Sequence, residues 1–152
     1  MFEITQENSR FKLQQELDSQ KTQSYRNKLG QFSTPFALAR DIAEEASRVI
    51  TTNEKISFLD PAIGTGVFYS AILDVFGEGK INSSTGYEVD PHYSRPTIDL
   101  WKDYNLNLRE HDFTKDAITT SDKFNLIIAN PPYVRHHHLG SEAKYRLKES
   151  IQ

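Results

Sequence analysis

The tetrapeptide Asn130-Pro131-Pro132-Tyr133 lies directly behind the apolar run Phe124-Asn125-Leu126-Ile127-Ile128-Ala129. Its residue types suit one difficult task, making a conjugated amino group act as a nucleophile. An exocyclic or amide nitrogen is a poor nucleophile because its lone pair is delocalised into the ring or carbonyl. The Asn130 side-chain oxygen and the Pro131 carbonyl can each accept a hydrogen bond from the two N–H groups. That draws the nitrogen towards tetrahedral geometry and localises the pair. Pro131 and Pro132 stiffen the turn and remove competing backbone donors, and Tyr133 offers a flat face to a planar substrate. The plainer reading is a buried strand ended by an ordinary proline turn.

Elements of a definite kind must position such a tetrapeptide. Residues 9–28 are polar, with Phe11, Leu13, Leu17 and Tyr25 as sparse apolar marks, and read as a helix or arm packing weakly on the body. In Leu29-Gly30-Gln31-Phe32-Ser33-Thr34-Pro35, Thr34 is a natural N-cap and Pro35 a natural first helical residue. Helical spacing of Leu38, Ile42, Ala43, Ala46, Val49 and Ile50 predicts a helix to about Ile50. A strand Ile56–Asp60, a glycine turn Pro61-Ala62-Ile63-Gly64-Thr65-Gly66 and a helix from Val67 follow. Further strands are predicted at Ser84–Asp90, Asn105–Asp112 and Phe124–Ala129, with a helix from Pro91 between the first two. The last strand is apolar enough to be central and covered on both faces. Strands alternating with helices imply an α/β fold with a doubly wound, mainly parallel sheet.

In such a sheet, ligands bind at the carboxyl ends of the strands, near the point where strand order reverses. Three predicted strands end in an acid, at Asp60, at Glu88 or Asp90, and at Asp112, and the fourth ends in Asn130. Gly64 and Gly66 mark a place where a ligand approaches the backbone as a helix begins. The third glycine of a dinucleotide fingerprint is replaced by Tyr69, and no Lys-Ser/Thr follows, so neither that fingerprint nor a P-loop is present. Acidic Asp60 disfavours phosphate and favours a positively charged ligand. Glu88, 22 residues after Gly66, can accept from both hydroxyls of a ribose. Asp112-Phe113 offers an acceptor for an adenine amino group with a ring beside it, or a helix cap with a core Phe.

Composition sets the outer bounds. The 152 residues are 37% hydrophobic and 26% charged, which describes one polar, soluble domain. Without cysteine there are no disulfides or thiolate metal sites, and a reducing compartment fits. The amino terminus lacks signal-peptide regions and no segment has the apolar length to span a bilayer, so a cytoplasmic protein with no membrane partner is expected. Net charge is −3, unevenly spread: residues 131–152 carry four Lys/Arg against two acids, plus His136-His137-His138. Adjacent histidines point in different directions, so they do not converge on one ion and no metal is expected.

At these residues the chain resembles the amino-group DNA methyltransferases that methylate N6 of adenine with S-adenosylmethionine as donor. The resemblance runs from about Gly30 to Tyr133. Gly30 to Pro35 resembles the family's motif for the methionine part of the cofactor, and Asp60 to Phe68 its glycine motif. Glu88-Val89-Asp90 and Asp112-Phe113 resemble the ribose and adenine contacts, and Asn130 to Tyr133 the catalytic motif. This order is similar to the gamma arrangement of restriction–modification systems. The resemblance implies a Rossmann-like methyltransferase fold. Its cofactor contacts would come from Phe32, Thr34, Pro35, Asp60, Pro61, Ala62, Gly64, Gly66, Glu88, Val89, Asp112 and Phe113. Within that set Thr34 would meet the cofactor carboxylate, Glu88 the ribose, Val89 the adenine face and Asp112 its amino group. Asn130, Pro131, Pro132 and Tyr133 would be catalytic, with Tyr133 stacking on an adenine flipped out of double-stranded DNA.

Such sheets normally have about seven strands and are followed by a DNA-recognition domain, whereas about four strands are legible here. The expected organisation is an N-terminal helical arm (1–30), a partial cofactor-binding and catalytic core (31–133) and a basic substrate-facing segment (134–152). On that reading the chain is truncated, or is completed by a C-terminal polypeptide, with a cognate endonuclease as a further partner. The rivals are a protein glutamine N5-methyltransferase, because an amide nitrogen poses the same problem, and an inactive cofactor-binding fragment or partner subunit. The Gln-Phe-Ser-Thr-Pro segment favours the DNA enzyme over the protein enzyme.

Overall fold

Four parallel strands form the sheet of the computed structural model, which describes residues 4–51, 53–116 and 121–133. The elements are α1 (Ile4–Ser19), α2 (Gln23–Leu29), α3 (Phe36–Val49), β1 (Ile56–Asp60), α4 (Val67–Phe76), β2 (Ile81–Tyr87), α5 (Pro91–Trp101), β3 (Asn107–Arg109), α6 (Phe113–Asp116) and β4 (Leu126–Ile127). A single 3₁₀ turn, Glu78–Lys80, joins α4 to β2. Sheet order is β3-β2-β1-β4, so the chain steps outwards from β1 to β3 and then returns to the other side of β1. That reversal makes the α/β arrangement doubly wound and places the switch point between β1 and β4. Among the described residues, no helix is long and apolar enough to cross a membrane.

The core lies between sheet and helices, with Ile56, Phe58, Tyr69, Ala71 and Ile72 fully buried. Helix α4 is buried from Val67 through Leu73, because it packs on α3 and also meets α1 and β2. Trp101 closes one end of this core. Its ring meets Tyr69 edge-on at 5.0 Å, and its Nε1–H donates to the Thr65 carbonyl at 3.0 Å. Gly66 begins α4 with φ +88°, and a Cβ there would stand 2.7 Å from Trp101 Nε1. A side chain at this position would need both a disfavoured backbone and a displaced indole.

Several boundaries differ from the sequence expectation. Strand β2 begins at Ile81, three residues before the predicted start, since Ile81 and the polar Ser83 pair with Ile56 and Ser57 of β1 across a bulge at Asn82. It ends at Tyr87, which leaves Glu88 just past the strand. Strand β3 shrinks to the three residues that pair with Thr85–Tyr87. Strand β4 is not central among the described residues: it pairs with β1 alone, burying Leu126 and leaving Ile127 59% exposed. Its start is trimmed because Asn125 Oδ1, a side-chain atom, accepts the Ser57 N–H at 2.8 Å.

The amino-terminal arm does not pack weakly. Helix α1 contains no Gly or Pro and carries three Gln, two Glu and two Leu, so it forms readily. It docks through polar groups in place of an apolar stripe. Gln6 donates to the Leu100 carbonyl, His92 Nε2 lies 2.9 Å from the Leu17 carbonyl, and the Tyr93 hydroxyl donates to Asp18 at 2.8 Å. Among the described side chains of the arm Leu17 becomes buried, whereas Phe11 and Tyr25 are about half exposed. The basic stretch after Tyr133, with its three histidines, lies outside the described residues.

Candidate active site

At the switch point, the carboxyl ends of β1 and β4 open into a solvent-open crevice. It brings together Phe32, Thr34, Asp60, Ala62, Gly64 and Asn130 from the residues chosen by sequence. Neighbouring walls come from Ser33, Ile63, Thr65, Val67 and Phe68, and from Arg10 and Gln14 of helix α1. Two of these segments meet directly. The Asn130 amide nitrogen donates to Thr34 Oγ1 at 3.1 Å and lies 3.4 Å from the Phe32 carbonyl. A carbonyl can only accept, so Phe32 fixes which end of the amide faces it. The Asn130 side-chain oxygen is thereby turned away from the Phe32–Thr34 segment.

Thr34 is free for this contact because it is not the helix cap that the sequence suggests. Helix α3 starts one residue later than expected, at Phe36, with Pro35 in the cap position and no side-chain cap bond. The Pro35 carbonyl instead accepts the Ala39 N–H at 3.1 Å. Upstream, Gly30 closes α2 with φ +67°, its N–H bonded to the Arg26 and Asn27 carbonyls. A Cβ on Gly30 would stand 2.6–2.8 Å from the backbone N, C and O of Tyr133. The arm's last turn and the proline tetrapeptide therefore touch backbone to backbone.

The remaining residues chosen by sequence lie outside the crevice walls. Glu88 is joined to it through the glycine turn, its Oε2 accepting the Gly64 N–H at 3.2 Å and its Oε1 the Asp90 N–H at 2.9 Å. Pro61 and Gly66 belong to the turn itself. Val89 is 62% exposed and Tyr133 68%, and Pro131 and Pro132 are also exposed. Asp112 Oδ1 accepts from both the backbone N–H and the hydroxyl of Thr114, and the Phe113 ring meets Tyr87 edge-on at 5.2 Å. The pair thus caps α6 and packs on β2. No group of three or more His, Asp or Glu among the described residues is placed to hold a metal ion.

Electrostatically the crevice is unusual at Asp60. Its Oδ1 accepts the Ala62 N–H at 3.0 Å, while Oδ2 is buried with no hydrogen-bond partner among the described residues. Burial, with Glu88 nearby, pushes the carboxyl up to about 7. Burial also raises Glu88, against the opposing backbone bonds. A carboxyl whose pKa is higher folded than unfolded holds its proton more tightly in the native state. Its stabilisation is therefore complete below the unfolded value near 4 and is lost as pH rises through about 7. We expect the melting temperature of the wild type to fall relative to Asp60→Asn between pH 4.5 and 8, measured by scanning fluorimetry. Parallel curves for the two proteins would show that Asp60 titrates as an ordinary surface carboxylate.

Sequence comparison agrees with this architecture. Residues 6–152 match the family of Eco57I restriction-modification methylases. The chain is 32% identical over 114 residues to the Type II methyltransferase M.AccI of Acinetobacter calcoaceticus, covering 74% of this chain and 20% of that protein. It is 32% identical over 126 residues to M.HincII of Haemophilus influenzae, covering 80% and 20% respectively. It is 34% identical over 105 residues to M.CvrRI of a Paramecium bursaria Chlorella virus, covering 68% and 24%. The chain thus spans about a fifth to a quarter of the length of these relatives. In fold it is similar to a protein assigned to the class I S-adenosylmethionine-dependent methyltransferases of Listeria monocytogenes. That match has a TM-score of 0.62 at 22% identity and covers 84% of this chain and 39% of the other. A protein assigned as an RNA methyltransferase of Pyrococcus horikoshii gives a TM-score of 0.55 at 21% identity, with coverages of 79% and 57%. With a family match over nearly its whole length and the strand order just described, the chain belongs to the Eco57I restriction-modification methylase family.

Proposed function

We propose that this chain forms the cofactor-binding and catalytic part of a cytoplasmic DNA methyltransferase. The enzyme would transfer a methyl group from S-adenosylmethionine to N6 of adenine, within a restriction–modification system. The observation that carries this reading is the Asn130 amide, anchored through its nitrogen to Phe32 and Thr34 at the mouth of a crevice that also holds the unpaired Asp60 carboxylate. An amide held by its nitrogen presents its oxygen to a substrate N–H, the polarity needed to localise an amino lone pair.

The cofactor fits the donor set. Asp60 supplies a buried, unsatisfied carboxyl, which a cationic ligand would ionise and pair. Glu88 keeps acceptor capacity beyond its two backbone bonds, since a carboxylate offers about four lone-pair sites. S-adenosylmethionine brings a methyl group already activated on a sulfonium, so the protein's share of catalysis is chiefly alignment, which can supply several orders of magnitude. A target adenine reaches Asn130 only after leaving the duplex stack, and Tyr133, two-thirds exposed, provides a ring for it to lie against.

The test is methyl transfer from radiolabelled S-adenosylmethionine by the active enzyme containing this chain, offered adenine-containing duplex DNA and, separately, a release-factor-type protein. Label in N6-methyladenine supports the reading, and label in protein glutamine overturns it in favour of the rival. Titration calorimetry on the chain itself tests cofactor binding, and no heat at high concentration would sink that part. Glu88→Ala should weaken cofactor affinity about tenfold or more, because a charge-assisted bond is lost; an unchanged dissociation constant would remove Glu88 from the site.

A further inference from the structure

The crevice has one wall that nothing in the tetrapeptide, glycine turn or strand ends accounts for. Arg10 of α1 is 2% exposed and lines it, although it precedes its partner in the glycine turn, Thr65, by 55 residues. Among the described residues, three of the guanidinium's five N–H groups are engaged. Nε and Nη2 form a two-pronged pair with Glu7 at 2.7 and 2.6 Å, and Nη1 donates to Thr65 Oγ1 at 3.0 Å. Thr65 in turn donates to Gln14 Oε1 at 2.7 Å, and Ser70 donates to Glu7 at 2.5 Å. A buried polar chain therefore runs from α1 through the glycine turn into α4. It locks the guanidinium plane while leaving one N–H on each terminal nitrogen.

Burying an arginine beside a cavity is costly unless its remaining donors find an acceptor. Glu7 neutralises the charge without saturating the fork. Lining the same crevice, Asp60 Oδ2 is buried with no hydrogen-bond partner among the described residues and can pair with a cation. A fixed guanidinium fork and an unsatisfied carboxyl lining one crevice complement a ligand end that carries both charges. The α-amino acid end of S-adenosylmethionine is such a group.

We propose that helix α1 is part of the cofactor site and that Arg10 binds the free α-carboxylate of the ligand's amino acid end through its two remaining N–H groups. The arm is then a specificity element. It selects ligands carrying an ionised carboxylate over nucleosides that lack one. This rests on the reading of the crevice as an S-adenosylmethionine site.

The test crosses protein and ligand changes. S-adenosylhomocysteine, its carboxyl methyl ester and 5′-methylthioadenosine are titrated by calorimetry into the wild-type chain, Arg10→Lys and Arg10→Met. Wild type should favour S-adenosylhomocysteine over the ester by about 10- to 100-fold, the worth of a charge-assisted hydrogen-bond pair. Arg10→Met should erase that preference while leaving methylthioadenosine affinity unchanged, and Arg10→Lys should fall between. Equal loss for all three ligands in Arg10→Met would make Arg10 a merely structural residue and overturn the proposal. So would a wild type that binds ester and acid alike, a result that requires no variant to fold. A wild type that binds none of the three overturns the cofactor reading itself, and the proposal with it.

Discussion

Replacing Asn130 by alanine lowers methyl transfer by the active enzyme about 10²- to 10³-fold or more, while cofactor affinity moves by less than about threefold. The split follows from the two ends of the amide. Its nitrogen is spent on Thr34 and the Phe32 carbonyl, so the oxygen is the end offered to the target nitrogen. Alanine removes that acceptor outright but takes nothing from the walls formed by Asp60, Ala62 and Gly64. A second variant separates contact from orientation. Thr34→Val keeps the shape and deletes the partner of the amide, so kcat should fall less than for Asn130→Ala, and Thr34→Ser should restore most of it. Single-turnover rates with saturating cofactor measure both effects. If Asn130→Ala loses cofactor binding in proportion to rate, Asn130 is holding the crevice together and is not acting on substrate.

Gly30→Ala should be strongly damaging although it lies far from the tetrapeptide in sequence. Two costs combine. A left-handed φ of +67° costs a non-glycine residue about 1–2 kcal/mol. A Cβ 2.6–2.8 Å from the Tyr133 backbone forces a main-chain shift costing about 1–3 kcal/mol. The expected result is a loss of about 2–5 kcal/mol in denaturant unfolding, with displacement of the tetrapeptide and a fall in kcat. Gly30→Asn tells the two causes apart. Asparagine tolerates the left-handed region, yet its Cβ meets the same atoms. Equal damage from Ala and Asn identifies the clash with Tyr133 as the larger cost; recovery in Asn would assign the damage to backbone strain.

The methyltransferase family and the chemistry proposed for this protein point back to features that are written locally. Asn130-Pro131-Pro132-Tyr133, the Gly64–Gly66 turn and the acids after each strand are short segments whose residue types carry their own meaning. Strand β1, the starts of α4 and α5 and the parallel α/β order could also be read, since apolar runs bounded by Gly and Pro have few alternatives. Strand limits were less legible. Ser83 is recruited into β2 by a neighbour that a linear pattern does not contain, and among the described residues β4 lies at the sheet edge although its composition suits a covered position.

Only the tertiary structure decided how the motifs meet. Thr34 reads as a helix cap, and it faces Asn130 because α3 begins a residue later. Gly66 reads as a ligand glycine, and its open side is filled by Trp101. Arg10 carries no signal at all, because one arginine on a polar helix looks solvated until the helix docks and buries it beside Thr65. Motif identity depends on residues adjacent in the chain, so the sequence by itself determined the class of fold and pointed to the chemistry proposed here. Burial, amide orientation and the pairing of charges depend on segments tens of residues apart, whose approach is set by packing, and for those the folded chain was decisive.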